Sequence, residues 1–427
     1  MKNRGLFLDI SLVSITAILF FLSKPTGFIT DYPLLSAAQL FALLGVTLVC
    51  LNFFISTRSR TLAWIYGGFD VMFKHHHNHG AIAFTLLLFH PLLMFFNALP
   101  QKDLAMKFIF YSDVIAYNLG LTALLILTLT LIFTFLIKLP YHIWLLTHRF
   151  LGLFLIVASL HIFFIGSDIS YFLPLKIWIY SLLFLALASL AYRRLLYYLL
   201  AKTYFYKVTK IAPKGDIYDV YLYPEKGSVE FFPGQFAFVT FIIPTIRQEP
   251  LPLSFASGPE NPTLRFTVRS LGDQTKSIKE NLKIGSRVRV DGPHGLFADD
   301  FSEKQDVVFI SGGIGIAPFL SLLENEKNHP TGKKIIHYSS FKTKEEAFCH
   351  QELISYSKTL PGYIYEPLFT DTSPRLTAVQ IKERVGDIKK FTFFICGPVP
   401  MMLSLRDQLL ELGVRQSRIR FENFSFK

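Results

Sequence analysis

The chain is 427 residues long, 51% of them in the apolar set and only 17% charged, with a mean hydropathy of +0.39. That balance excludes a disordered chain and an ordinary soluble domain, and the length suits about three units at roughly 150 residues each. Three cysteines, Cys50, Cys349 and Cys396, show no CxxC or other paired spacing, which excludes a disulfide scaffold, a four-cysteine iron–sulfur cluster and a cysteine-type zinc site. The net charge of +12 fits the basic loops of a membrane protein. A nucleic-acid partner would need a basic patch on a folded face and is not expected.

Six apolar stretches, near 6–22, 34–55, 80–98, 117–137, 148–166 and 172–191, can each cross a hydrocarbon core of about 30 Å, which takes about 20 helical residues. The lipid bilayer is therefore the first expected partner. The opening MKNRGLFLDI leads to no small-residue cleavage site, so the first stretch reads as a retained helix rather than a signal peptide. Asp9 is a polar blemish near its end. One side of the bundle collects Lys2, Arg4, Arg58, Arg60, Lys74, Lys138, Arg149, Arg193, Arg194 and Lys202, whereas the other has Lys24, Lys102, Lys107 and Lys176. The bias predicts a multi-pass cell-membrane protein with its N-terminus and its C-terminal half in the cytoplasm.

From about residue 200, short alternating runs such as FYKVTKI, AFVTFII and LRFTVRS, punctuated by Pro and Gly, predict strands of a small β-barrel. Beyond residue 300 apolar strands (DVVFIS, KKIIHYSS, KFTFFICG) alternate with helical stretches, the pattern of a parallel sheet with crossover helices. The expected organisation is a membrane domain over 1–198, a β-barrel over 199–300 and an α/β domain over 301–427.

Histidines are rare inside membrane spans because a polar ring in hydrocarbon is costly, so those present are functional candidates. In KHHHNHGAIAFTLLLFHP, His76 and His90 stand 14 residues apart, and in THRFLGLFLIVASLHI, His148 and His161 stand 13 apart. Fourteen residues make about 21 Å of helix rise and return to within about 40° of the same face. Two such helices can clamp two haems, one above the other. An iron with two axial imidazoles relays electrons without binding a ligand directly, and no C-x-x-C-H attachment motif occurs, so the expected haems are noncovalent b-type. The plainer alternative for any single histidine is a helix–helix hydrogen bond; two matched pairs favour metal. Thirteen residues amount to roughly 220° on an ideal helix, so a bend, tilt or π-bulge in the fifth helix must absorb the difference. The inner ligand lies among His75, His76 and His77. Gly80 follows His76 by four residues as Gly152 follows His148, which favours His76. The other histidines of the cluster, His79 included, could bind a metal, but a solvated interfacial group is the favoured reading.

In the barrel region LPLSFAS (251–257), RSLGDQT (269–275) and DGPHGLF (291–297) occur in that order. Pro252, Leu253, Ser254 and Ser257 suit the edge of an isoalloxazine. Arg269, Gly272 and Thr275, ahead of the helical run KSIKENL, would set a pyrophosphate on a helix N-terminus, and Gly292 marks the third turn. The next domain opens with ISGGIGIAPFLSLL, where Gly312, Gly313, Gly315 and Pro318 form a strand-to-helix turn that backbone and dinucleotide can share. Further on, FFICGPVPMM places Cys396 at a strand end facing a nicotinamide, with Gly397 and Pro398 turning away. The terminal FENFSFK supplies aromatics to cover a flavin.

Taken together, the paired histidines, PLSFAS, GPHG, GGIGIAP, CGPVPMM and the terminal ENF resemble the NADPH oxidase and ferric reductase superfamily, particularly its compact bacterial members, over nearly the whole chain. The resemblance implies a six-helix transmembrane haem-binding bundle followed by a ferredoxin-reductase-like module, an FAD-binding β-barrel plus an α/β nucleotide-binding domain. It implies an NAD(P)H-oxidising enzyme with FAD, two haem b and NADPH or NADH as cofactors. His76 with His148 would hold the inner haem and His90 with His161 the outer one. Ser254 would touch the flavin, the Thr275 loop the FAD pyrophosphate, and residues 312–318 the nicotinamide nucleotide. Cys396 and Phe424 would be the catalytic pair, near the hydride path and over the isoalloxazine respectively, with Phe426 the fallback. Phe154, six residues past His148, matches an aromatic that such oxidases place between haems.

Some positions depart from the family pattern. The usual HPF of the flavin strand reads Leu251-Pro252-Leu253, Met94 stands where eukaryotic oxidases carry a second histidine, and the first two spans contain no Arg or Lys. Oxygen reduced to superoxide is the expected reaction, with a ferric chelate the alternative small-molecule acceptor. A membrane-tethered flavin reductase serving a protein partner is the rival of another class. Ser340 and Lys342, with Lys344, favour NADPH, since no acidic residue ends the preceding strand. No Ca²⁺-binding loop or Pro-rich tail occurs, so activity is expected without an obligatory protein partner.

Overall fold

The protein is represented by a computed structural model that describes residues 4–197, 203–299, 301 and 305–421. It divides into two compact units, Met1–Leu200 and Ala201–Lys427.

The first unit is built from six long apolar helices. They are α1 (Arg4–Leu22), α2 (Pro33–Ile55), α3 (Phe69–Ala98), α4 (Ile115–Phe135), α5 in two segments (Tyr141–His148 and Leu151–Phe164) and α6 (Leu173–Ala191), each long and apolar enough to span a membrane. Their outward faces carry exposed Phe7, Ile18, Leu136, Phe163 and Phe184, as lipid contact requires. Inside, Phe20, Leu43, Leu155, Leu175 and Ile179 share one core. Small and hydroxylated residues let the helices approach: Thr16 and Thr47 hydroxyls meet at 2.9 Å and the Trp178 indole donates to Thr16 at 2.8 Å, bonds that hydrocarbon cannot replace.

Two boundaries differ from the sequence expectation. Helix α3 begins at Phe69, seven residues before His76 and ahead of the apolar stretch near 80, because the polar KHHHNH run continues the helix and finds partners inside the bundle. Helix α5 begins seven residues early and tightens at Arg149–Phe150, where Phe150 N–H bonds Thr147 O and Gly152 N–H bonds Arg149 O. These are i to i−3 bonds, which advance the chain about 120° per residue instead of about 100°. The overwinding turns His161 back from roughly 220° toward the face of His148. A π-turn lies elsewhere in this unit, at Tyr192–Leu196, continuing α6.

The second unit holds two sheets. Strands β1 (Thr203–Lys214), β2 (Ile217–Pro224), β3 (Phe236–Ile242), β4 (Leu251–Ser254), β5 (Leu264–Arg269) and β6 (Arg287–His294) form an antiparallel sheet in the order β4-β3-β6-β1-β2-β5. A bridge between Phe255 and Phe266 joins its two ends, so the sheet closes into a barrel around Tyr206, Val220, Phe241, Phe266 and Val290. Helix α7 (Asp273–Asn281) follows β5.

The other sheet is parallel, in the order β11-β10-β7-β8-β9, from β7 (Val307–Gly312), β8 (Ile335–Phe341), β9 (Tyr363–Phe369), β10 (Thr392–Cys396) and β11 (Ile419–Phe421). The inner strands β7, β8 and β10 are buried on both faces, which is why they read as continuous apolar runs. Crossovers carry α8 (Ala317–Asn328), α9 (His350–Thr359), α10 (Ala378–Val385) and α11 (Val399–Glu411).

Candidate functional site

The helical screw sorts the histidine cluster of α3. Successive residues point about 100° apart, so His75 and His79 share one face while His76 and His77 point elsewhere. His75 and His79 meet Asp9 of α1, and His77 lies edge-on against Phe135. His76 lies against His148 of α5, with ring centroids 6.2 Å apart. An iron–imidazole bond is about 2 Å long, so two imidazoles on one iron have ring centres about 6 Å apart. Nδ1 of both His76 and His148 is buried without a hydrogen-bond partner, and the Trp144 indole stacks on His148 at 5.1 Å.

Further along the same helices, His90 Nδ1 lies 2.9 Å from the Ala38 carbonyl and His161 Nδ1 lies 2.7 Å from the Ala116 carbonyl. A carbonyl only accepts, so each Nδ1 carries the proton and each Nε2 keeps its lone pair. This is how metal-ligating histidines are held. A Cβ at Gly120 would stand 2.9 Å from His161 Cε1, so the glycine makes room for the ring. The residues of both levels fit haem ligation. Phe154 is buried beside Leu127 and Leu131. Near the end of α6, the Arg193 guanidinium lies 4.1 Å over the Tyr197 ring, with Nη1 buried and making no hydrogen bond, while Arg194 donates to the Arg149 carbonyl at 3.2 Å.

In the second unit the sheet order reverses between β10 and β7, and this switch point is where α/β sheets bind ligands. Gly312 ends β7 and Cys396 ends β10, and Ser311 pairs with Cys396 in register. The two turns are packed backbone to backbone: a Cβ at Gly315 would stand 2.4 Å from the Cys396 carbonyl oxygen and 2.7 Å from Gly397 Cα. At Gly312 it would meet Pro398 Cδ at 2.8 Å. Gly313 takes φ +54 in open space. Pro318 lies in the first turn of α8, where the missing N–H costs nothing. Ser340 pairs with Gly312 on the neighbouring strand, and Lys342 follows, exposed.

The barrel residues divide by role. Ser254 closes β4 opposite Phe236, after Pro252 and Leu253. Ser257 Oγ accepts the Arg265 N–H at 3.1 Å, so it helps close the barrel. Arg269 pairs with Asp216 at 2.7 Å. Thr275 Oγ1 accepts the Leu271 and Gly272 N–H groups at 3.0 and 3.1 Å; it builds the turn ahead of α7, whose first amides have no intrahelical partner. A Cβ at Gly292 would meet Ala237 Cβ at 2.9 Å. Phe424 and Phe426 lie outside the described residues.

Two buried groups went unnoticed in the sequence. His337 on β8 is bonded through Nε2 to Ser311 Oγ at 2.9 Å and through Nδ1 to the Tyr363 hydroxyl at 2.9 Å, and Ser311 also meets Ser339 at 2.8 Å. This chain runs directly behind Gly312. Burial pushes the His337 imidazole down to about 3, so it stays neutral. Arg265 binds Asp219 at 2.6 Å and both Glu352 oxygens at 2.9 Å; burial opposes its charge, but the Glu352 and Asp219 carboxylates prevail and hold it protonated. A polar residue alternating with apolar ones in a strand was the available signal, but partners this distant in sequence gave none.

Residues 41–159 match the family of ferric reductase like transmembrane components, and residues 309–407 match the oxidoreductase NAD-binding domain. A flavohemoprotein from Rhizobium meliloti (strain 1021) is 27% identical over 234 residues, which cover 50% of this chain and 58% of the relative. The reductase component of propane 2-monooxygenase from Rhodococcus jostii (strain RHA1) is 25% identical over 235 residues, covering 51% and 63% respectively. The chain thus spans less than two thirds of the length of these relatives. Among solved structures, a flavohemoglobin from Malassezia yamatoensis with bound FAD and heme aligns with a TM-score of 0.51 at 16% identity, covering 82% of this chain and 97% of that one; the likeness is one of fold. The two family matches in this order, a ferric-reductase-like transmembrane component followed by an oxidoreductase NAD-binding domain, give the chain the domain architecture of the NADPH oxidase and ferric reductase superfamily, with six helices among the described residues long and apolar enough to cross a membrane.

Proposed function

We propose that this protein carries electrons from cytoplasmic NADPH through FAD and two b-type haems to oxygen on the opposite side of the membrane, giving superoxide. The balance is one NADPH and two O₂ to NADP⁺, H⁺ and two superoxide ions. FAD accepts a hydride and passes its electrons on singly, and a haem with two axial imidazoles carries one electron at a time. The observation that carries the reading is the His76–His148 pair, with ring centroids 6.2 Å apart, together with the His90 and His161 Nδ1 groups held on backbone carbonyls further along the same two helices.

Each residue then has a task. His76 with His148 holds the inner haem and His90 with His161 the outer one, the Ala38 and Ala116 carbonyls orienting the outer rings. Arg193 Nη1, buried and making no hydrogen bond, suits a haem propionate. Ser254 meets the isoalloxazine edge, and the α7 N-terminus shaped by Thr275 receives the pyrophosphate. The turn at residues 312–318 receives the nicotinamide nucleotide, Ser340 and Lys342 bind its 2′-phosphate, and Cys396 borders the hydride path. No protein partner is required.

Anaerobic absorbance of the detergent-purified chain with FAD, before and after NADPH, tests the reading: bis-imidazole b-haem bands should appear and become reduced. Flavin turnover without haem would overturn it in favour of a tethered flavin reductase. Met94 and the apolar stretches 6–22 and 34–55, which hold no Arg or Lys, favour a second acceptor, a ferric chelate. Superoxide dismutase-sensitive cytochrome c reduction, run beside ferrous-chelate formation, separates the two.

A further inference from the structure

A carboxylate in an apolar helix demands an explanation, since an unpaired charge in hydrocarbon is among the costliest groups a span can hold. Asp9 lies five residues into α1 and is only 5% exposed. Its Oδ2 faces two imidazoles of α3, 2.7 Å from His75 Nδ1 and 3.0 Å from His79 Nε2. Its Oδ1 accepts the Tyr66 hydroxyl at 2.6 Å, which fixes the carboxylate so that Oδ2 points at both rings.

We propose that Asp9, His75 and His79 form a binding site for a divalent transition-metal cation that fastens α1 to α3. The three ligand atoms lie within 4.8 Å of one another. Ligands about 2.0–2.1 Å from a metal stand about 2.9 Å apart at an octahedral edge and about 3.3 Å apart at a tetrahedral one, so the two Asp9–histidine edges, at 2.7 and 3.0 Å, need lengthen by only a few tenths of an ångström to admit an ion. The histidines are i and i+4 on one helix face, and Asp9 comes from a second helix, so the backbone presets the donor set. The Tyr66 hydroxyl on the distal carboxylate oxygen is the outer support that such ligands ordinarily have. The Tyr66 ring also packs edge-on against His75 at 4.9 Å.

Two imidazoles with one carboxylate suit Zn²⁺ or Fe²⁺ over Ca²⁺ or Mg²⁺, which take oxygen ligands. The His75 side chain remains 22% exposed, which leaves the ion an entry path. His76 faces the other way, toward His148, so this site is separate from the proposed haem pair.

The full chain in detergent, stripped with a chelator, reloaded with zinc sulfate alone and desalted, should retain about one more zinc per chain than Asp9→Asn, His75→Gln or His79→Gln, measured by elemental analysis against protein. His77→Gln, which changes the ring against Phe135, should retain the wild-type amount. Zinc should also raise the unfolding temperature of the stripped wild type, and not that of a His75→Gln/His79→Gln double variant, which covers the case that Asp9→Asn fails to fold. Equal zinc in all variants, the same loss in His77→Gln, or no zinc-dependent shift in the wild type would overturn the site and leave a hydrogen-bonded anchor only.

Discussion

Replacing Gly315 by alanine tests whether the two turns at the sheet's switch point act as one nucleotide platform. The added methyl would stand 2.4 Å from the Cys396 carbonyl oxygen and 2.7 Å from Gly397 Cα. Both neighbours are backbone, so no side chain can swing aside. Ordinary contact begins near 3.4 Å, so the turn at 312–318 and the turn at 396–398 must part by about 1 Å. Overpacking of this kind costs about 1–3 kcal/mol, roughly 5- to 150-fold in an equilibrium constant, and a 1 Å misplacement of a bound reactant can cost about 100-fold in rate. We expect NADP⁺ affinity, measured by calorimetry, to fall at least about fivefold, with a larger loss of NADPH-dependent flavin reduction in stopped flow. Gly166→Ala, whose added methyl meets nothing within 4 Å, is the control for an added methyl outside any proposed site. Wild-type affinity and reduction rate in Gly315→Ala would refute the close-approach argument.

His161→Leu should halve haem content from two to one per chain in a pyridine haemochrome assay while NADPH still reduces the remaining haem; unchanged content would remove His161 from the ligand set. Arg265→Ala leaves Asp219 and Glu352 facing each other without their cation, and losing one partner of a buried ion pair costs about 3–5 kcal/mol, read by chemical denaturation of the full chain, with Arg265→Lys recovering part of it. His337 is held neutral in the fold at about 3 against about 6.5 unfolded. The stability it contributes is therefore full above pH 6.5 and lost as pH falls toward 3. Between pH 6.5 and 5.5 the wild type should lose about 1 kcal/mol more than His337→Gln, and parallel losses would refute the assignment.

The hydropathy pattern alone yields the six helices, because a span must satisfy its backbone internally and present apolar side chains along about 20 residues. Alternation in the 200s and continuous apolar runs beyond 300 likewise announce a barrel and a parallel sheet, since side-chain period follows strand exposure. Weakly apolar pieces escape: β2, β6, β9 and β11 are not among the runs singled out, and the polar start of α3 lies outside the apolar stretch near 80–98. Its partners, Asp9 above all, lie more than sixty residues away.

Chemistry-bearing residues were legible wherever chemistry is local. GGIGIAP and CGPVPMM announce turns because glycine and proline restrict the backbone regardless of context. Which histidine of His75, His76 and His77 faces His148 could be narrowed by sequence but was settled spatially only by packing, as one residue along a helix swings a side chain by about 100°. The overwinding at Arg149–Phe150 belongs to the same class. So do the Ser311–His337–Tyr363 chain and the change of Asp9 from blemish to a three-bonded centre. Sequence determined where polar groups sit along the chain; tertiary structure decided which of them meet, because hydrogen bonds and metal bonds depend on separations of 2 to 3 Å that only the folded backbone sets.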